Sequence, residues 1–168
     1  MSFGFVRLNH AVLFVTDLKR SEQFYRDVFG MEVVSHEEAF RAVFLRFPDS
    51  GNHHDLGLFS VGLTAPKPPR GSVGLYHLAW QVDTIEDLAS ARERLIAANA
   101  LRGESSHGAT KSLYGVDPDG NEFEVMWMLP RDSWGVYEAA ATVEPLHLED
   151  EIAAWSGVRT GGRVAVAN

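Results

Sequence analysis

The chain contains no cysteine. Disulfides, thiolate nucleophiles, cysteine-bound zinc and iron–sulfur clusters are therefore excluded from its chemistry. It also lacks any apolar run approaching the about 20 residues that a membrane-spanning helix requires. The opening stretch MSFGFVRLNHAVLFV has neither a long apolar core nor a small-residue cleavage site. No signal peptide is expected, and the expected location is cytoplasmic. Positive charge is in short supply: 15 Lys and Arg stand against 23 Asp and Glu, a formal net charge of −8. A surface of that sign repels phosphate backbones and anionic lipid, so neither nucleic acid nor membrane is an expected partner. G-x-S-x-G, G-x-x-x-x-G-K-[ST] and G-x-G-x-x-G are all missing, which leaves serine-hydrolase, P-loop and dinucleotide chemistry without support.

What the 168 residues do contain is a globular mixture, 45% hydrophobic and 23% charged, long enough to bury a sizeable core. LNHAVLFV (8–15) reads as a strand, and TDLKRSEQFYRDVFG places Leu18, Phe24, Tyr25, Val28 and Phe29 on one helical stripe. Thr16 or Asp17 caps that helix and Gly30 ends it. Strands are expected at 31–35, 40–47 and 55–61, the last two separated by the turn residues PDSGN. The proline-rich TAPKPPRG cannot continue either kind of element and reads as a linker. The pattern then restarts: strand LYHLAWQV, a helix from Thr84 with Asp87 three residues on, and strands at 101–104, 111–116 and 122–128. The apolar stripe of that helix is Ile85, Leu88, Ala91, Leu95 and Ile96. DPDGN (117–121) is a strong hairpin turn.

Superposing LNHAVLFVTDL on LYHLAWQVDTI matches Leu8 with Leu75, His10 with His77, Val15 with Val82 and Leu18 with Ile85. Each half is a βαβββ module, and the repeat marks a duplicated α+β architecture. The modules are expected at about 5–64 and 73–129, joined by a linker at 64–72, with a C-terminal extension (130–168) packing on the domain or on a partner subunit.

His77 interrupts an otherwise apolar strand. A single buried histidine is most often a hydrogen-bonded core residue. His10 in the equivalent place of the first module makes that plain reading less adequate. Glu124, deep in NEFEVMWM, is the third member, because an unpaired buried carboxylate is costly and is either neutralised or bound to a cation. Two histidines and one carboxylate, each from a strand, hold a divalent metal on one side and leave positions open opposite; the set suits Fe(II), and also Mn(II) or Zn(II). His53 and His54 follow the DSGN turn and read as structural or solvent-facing, while Trp80 and Trp127 read as core.

With DPDGNEFEV and these three residues, the chain over about 5–129 resembles the vicinal oxygen chelate superfamily of extradiol dioxygenases, glyoxalase I, fosfomycin-resistance enzymes and bleomycin-binding proteins. The resemblance implies two βαβββ modules curling into an open, barrel-like mixed sheet around a metal, with His10, His77 and Glu124 as its ligands. HGATKSLYGVDPDGNEFEVMW is most similar to small catechol 2,3-dioxygenase-type proteins. That likeness implies a substrate-binding Tyr114, ten positions before Glu124, and a second-sphere acid–base residue in His107. The implied activity is Fe(II)-dependent extradiol cleavage of a catechol-like aromatic diol by O₂, in a homodimer or higher homo-oligomer. Two alternatives stay open: another metalloenzyme of this fold (a glyoxalase-type isomerase or a fosfomycin-resistance-type thiol transferase), and a non-catalytic binder of small planar molecules. Glyoxalase I supplies a fourth ligand from the last strand of its first half, where this chain offers DLGLFSV with no carboxylate inside.

Overall fold

A computed structural model describes residue 4, residues 7–69 and residues 71–161. The chain divides into two compact units with their boundary between Lys67 and Pro68, inside the proline-rich segment. The first unit runs β1 (Ala11–Val15), α1 (Leu18–Phe29), β2 (Glu32–Glu37), β3 (Ala42–Arg46) and β4 (Leu56–Ser60). The second repeats the order with β5 (Leu78–Gln81), α2 (Ile85–Ala97), β6 (Leu101–Ser106), β7 (Thr110–Val116) and β8 (Glu122–Met128). Each unit holds a four-stranded mixed sheet, ordered β1-β4-β3-β2 and β5-β8-β7-β6. In each, the first strand lies parallel to the last at the sheet edge, and the remaining pairs are antiparallel.

Local chemistry sets the helix limits. Asp17 accepts a hydrogen bond from the Arg20 N–H at 3.1 Å, satisfying an otherwise orphaned donor. Gly30 closes α1 in the left-handed region at φ 69°, with its N–H on the Arg26 carbonyl, where a Cβ would be strained. At α2, Thr84 and Asp87 form a reciprocal capping box. Both helices cover one face of their sheet. Tyr25 and Val28 of α1, and Ile85, Leu88 and Leu95 of α2, are buried together with Leu13, Val15, Leu113, Val125 and Trp127. Each such side chain contributes about 1.5–3 kcal/mol when withdrawn from water. Ile96, expected on the buried stripe, is half-exposed, one position beyond the Leu88–Leu95 seam.

The first strand of each unit starts later than its apolar pattern suggests. β1 begins at Ala11, paired with Leu56, and β5 at Leu78, paired with Phe123. Each is an edge strand whose parallel partner emerges directly from a turn, after PDSGNHHD in one unit and DPDGN in the other. Parallel pairing begins only at Ala11 in the first unit and at Leu78 in the second. His10 and His77 therefore stand immediately ahead of their strands rather than within them, and Leu8, Leu75 and Tyr76 are exposed. On β1 the buried side chains are Leu13 and Val15, while Val12 and Phe14 face away from the helix-covered core and are exposed.

Beyond β8 the chain folds back on the second unit. Two short 3₁₀ turns (Arg131–Ser133 and Gly135–Glu138) lead to an isolated bridge between Ser106 and Glu144 and then to α3 (Leu148–Trp155). Trp155 packs on Trp127 with ring centroids 6.0 Å apart, and Glu151 meets the buried Lys111 ammonium at 2.6 Å.

A candidate metal and acid–base site

The β7–β8 hairpin sets the geometry of the second unit's site. Asp117 accepts from the backbone N–H groups of Asp119 and Asn121, both at 2.9 Å, and Gly120 adopts φ 89°. That turn fixes the register in which Tyr114 faces Glu124 directly, while Ala79 of β5 flanks Glu124 on its other side. Alternation along β8 sends Phe123, Val125 and Trp127 into the core and leaves Glu124 on the face that α2 does not cover.

On that face four side chains form one chain of contacts. His77 Nε2 lies 3.1 Å from Glu124 Oε2. The His77 ring stands 5.9 Å from that of Tyr114 in an edge arrangement. The Tyr114 hydroxyl is 2.7 Å from His107 Nε2, and His107 Nδ1 is 2.7 Å from the Thr142 carbonyl oxygen. Burial, reinforced by the Glu124 charge and opposed by Ser112, raises the Tyr114 phenol above its ordinary value, so the hydroxyl keeps its proton and donates it.

His10 lies in the first unit, where its own neighbours orient it. Its Nδ1 is 2.9 Å from Asn9 Oδ1, and Asn9 in turn donates to Asn52 Oδ1 at 2.8 Å. An amide oxygen only accepts, so Nδ1 carries the proton and the Nε2 lone pair is left available to a cation. The His54 ring lies tilted to that of His10, with centroids 4.5 Å apart, and meets the Phe44 ring edge-on at 4.9 Å. Burial and the neighbouring His10 and His53 lower the His54 value, which keeps that ring neutral.

The residues present fit a divalent metal in part of the site. An imidazole nitrogen and a carboxylate oxygen 3.1 Å apart match the edge spanned by two donors each about 2.1 Å from one ion at right angles. The second imidazole nitrogen of His77 is buried with no hydrogen-bond partner, so Glu124 is its one polar contact among the described residues. Those residues contain no ready cluster of three or more metal-holding side chains. The structure thus brings His77, Glu124, Tyr114 and His107 together in the second unit and keeps His10 with Asn9, Asn52 and His54 in the first. Asn9, Asn52 and the Thr142 carbonyl have no signal in the sequence. The first two are ordinary turn residues, and the third is a backbone group.

Comparison with known proteins agrees with this topology. The family model described as Glyoxalase/Bleomycin resistance protein/Dioxygenase superfamily matches residues 7–125. The chain belongs to that superfamily, and its two βαβββ units are those of the vicinal oxygen chelate fold. It is 36% identical over 121 residues to a biphenyl-2,3-diol 1,2-dioxygenase of Rhodococcus globerulus, covering 71% of this chain and 62% of the relative. It is 31% identical over 127 residues to a catechol-2,3-dioxygenase of Bacillus subtilis, covering 76% and 43%. The chain thus spans about half the length of these curated relatives. Among solved structures, a glyoxylase/bleomycin resistance protein/dioxygenase domain from Frankia superposes with a TM-score of 0.63 at 21% identity, covering 76% of this chain and 96% of that one. A lactoylglutathione lyase from Agrobacterium tumefaciens superposes with a TM-score of 0.55 at 25% identity, covering 72% and 92%.

Proposed function

We propose that this chain is an extradiol ring-cleaving dioxygenase acting on a catechol-like aromatic diol and O₂, with His10, His77 and Glu124 as ligands of one Fe(II). The carrying observation is the continuous contact from His77 and Glu124 through Tyr114 to His107. Bound Fe(II) would supply Lewis-acid and oxygen-binding chemistry at positions the three ligands leave open.

The chain's own residues supply the proton handling. Tyr114 holds its hydroxyl proton against His107 Nε2. When a diol hydroxyl gives its proton to the Tyr114 oxygen, the Tyr114 proton passes to Nε2, and the path reverses as the ring-opened product takes a proton back. The imidazolium so formed keeps its Nδ1–H on the Thr142 carbonyl.

Register supports a three-ligand rather than a four-ligand site. Glu124 lies beside Ala79 of β5, and the corresponding partner of Val12 in the first unit is Gly57. The place equivalent to Glu124 thus carries no carboxylate, and a Cβ on Gly57 would already stand tightly at 3.2 Å from the Phe44 ring and 3.4 Å from Val12. This argues against a glyoxalase-type isomerase. The dioxygenase relatives favour oxygen chemistry over thiol transfer to an epoxide.

The test is oxygen uptake by protein loaded anaerobically with Fe(II), across a panel of substituted catechols. Uptake with a coloured ring-fission product, abolished in His77→Ala, is the expected result. Bound Fe(II) with no uptake for any catechol would overturn the reading. His107→Phe should keep its metal and lose roughly 100-fold or more in turnover, the scale of a positioned acid–base group.

A further inference from the structure

His107 is tied at both ring nitrogens. Nδ1 meets the Thr142 carbonyl and Nε2 the Tyr114 hydroxyl, each at 2.7 Å. A carbonyl oxygen only accepts, so Nδ1 bears the proton of the neutral ring and Nε2 presents its lone pair. The tautomer is therefore set by a main-chain atom 35 residues further along, outside the βαβββ module that carries His107 and Tyr114.

Several contacts hold that carbonyl in place. Ser106 and Glu144 exchange both backbone hydrogen bonds, at 2.8 and 3.0 Å, and Ser105 Oγ donates to the Glu144 carbonyl at 3.2 Å. These bonds lie one residue before His107 on one side and two after Thr142 on the other. The turn that follows His107 is closed by its own N–H on the Thr110 carbonyl at 2.8 Å. Gly108 takes φ 76° in that turn, and the Tyr137 ring occupies the space where a Cβ would be. Tyr137 thus packs on the turn while Thr142 fixes the ring that precedes it. The Thr142 hydroxyl takes no part, since Oγ1 is buried without a hydrogen-bond partner.

We propose that the segment from Tyr137 to Glu144 is a positioning element of the acid–base pair: through the Thr142 carbonyl it holds His107 as the Nδ1–H tautomer, making Nε2 the one ring site able to take the Tyr114 proton. Tyr137 and Thr142 are positioning residues that act through His107. The catalytic meaning rests on the dioxygenase reading, but the tautomer is a property of the folded chain without metal, catechol or turnover.

The test is two-bond nitrogen–proton correlation spectroscopy of the histidine rings in ¹⁵N-labelled, metal-free protein at about pH 8, where unperturbed imidazoles are neutral. A His107→Asn variant assigns the signals. Wild-type protein should show His107 as Nδ1–H, and so should Thr142→Val, which keeps the carbonyl, and Tyr137→Phe, which keeps the ring on Gly108. Tyr137→Ala and Glu144→Pro, the latter lacking the N–H donated to Ser106, should lose roughly tenfold in tautomer preference, the scale of one net hydrogen bond. Wild-type His107 in the Nε2–H form would overturn the proposal even if a variant failed to fold. A folded Tyr137→Ala and a folded Glu144→Pro that both keep the wild-type tautomer would overturn it too. Absence of oxygen uptake would sink the dioxygenase reading and leave this result standing, so the two failures are distinguishable.

Discussion

Glu124 shows how much a single position depends on its strand context. On β8 it alternates with three core residues, so its carboxylate is only 12% exposed and its close polar neighbours are His77 and Tyr114. Next to that face, Gly115 is required for packing. A Cβ there would stand 2.5 Å from the Phe123 ring and 3.1 Å from the Ala100 carbonyl. Gly115→Ala should cost about 1–3 kcal/mol by forcing Phe123 off its position. The check is a lowered urea midpoint at unchanged slope; an unshifted midpoint would show that the ring rearranges freely. Glu124 and Tyr114 were legible as residues because a carboxylate inside an apolar alternation is unusual and because DPDGN fixes the hairpin. The environment of His10 was not. Asn9 and Asn52 become its support only once the turn before β4 has folded against the segment ahead of β1.

Among the elements, the helices and hairpins follow their local chemistry closely. The Thr84–Asp87 box, Gly30 and the Asp117 turn all act where their sequence patterns place them. Strand starts were less legible, since pairing depends on where a partner strand emerges, and that partner lies 45 residues away in both units. The placement of α3 has no periodic signal strong enough to be read from sequence. A buried ion pair holds it instead: Lys111 reaches Glu151 at 2.6 Å and donates to Ser106 Oγ at 2.9 Å. Glu151→Ala leaves that ammonium with one neutral partner and should destabilise the fold by about 2–3 kcal/mol, below the full cost of a dry pair because Glu151 remains 20% exposed. Adding Lys111→Met should recover most of the loss in chemical denaturation. No recovery would mean that Lys111 contributes mainly through packing of its stem.

A second tie between α3 and α2 carries a pH signature. Glu86 accepts from the Ser156 hydroxyl at 2.7 Å and from the Gly157 N–H at 3.0 Å, and these bonds lower its carboxyl value, the Ser156 hydroxyl most of all. A depressed carboxylate contributes stability that is fully present above the ordinary glutamate value of 4.5 and is lost as pH falls through the lowered one. The protection of α3 amides, taken as observed exchange relative to the intrinsic rate at each pH, should therefore fall below about pH 4.5, and Ser156→Ala should weaken that dependence. Equal pH profiles in the two proteins would remove Glu86 as its source.

At the scale of the whole molecule, the duplication is plain in sequence because both halves repeat the same order of elements, and the two sheets have the same strand order. The modules nevertheless diverge at one register position, where Gly57 beside Val12 in the first corresponds to Glu124 beside Ala79 in the second. The tail adds something neither module contains, the Thr142 carbonyl and the Lys111–Glu151 pair. Among the described residues no helix is long and apolar enough to cross a membrane. The proposal of His10, His77 and Glu124 as the ligands of one Fe(II) carries one requirement: loss of any of the three weakens the hold on the metal. Anaerobic equilibrium dialysis against Fe(II), with metal analysis of the native protein and of His10→Ala, His77→Ala and Glu124→Ala, tests it most directly. One tightly held Fe(II) per chain, lost to a similar degree in all three variants, is the predicted result. Native affinity retained in His10→Ala would contradict it.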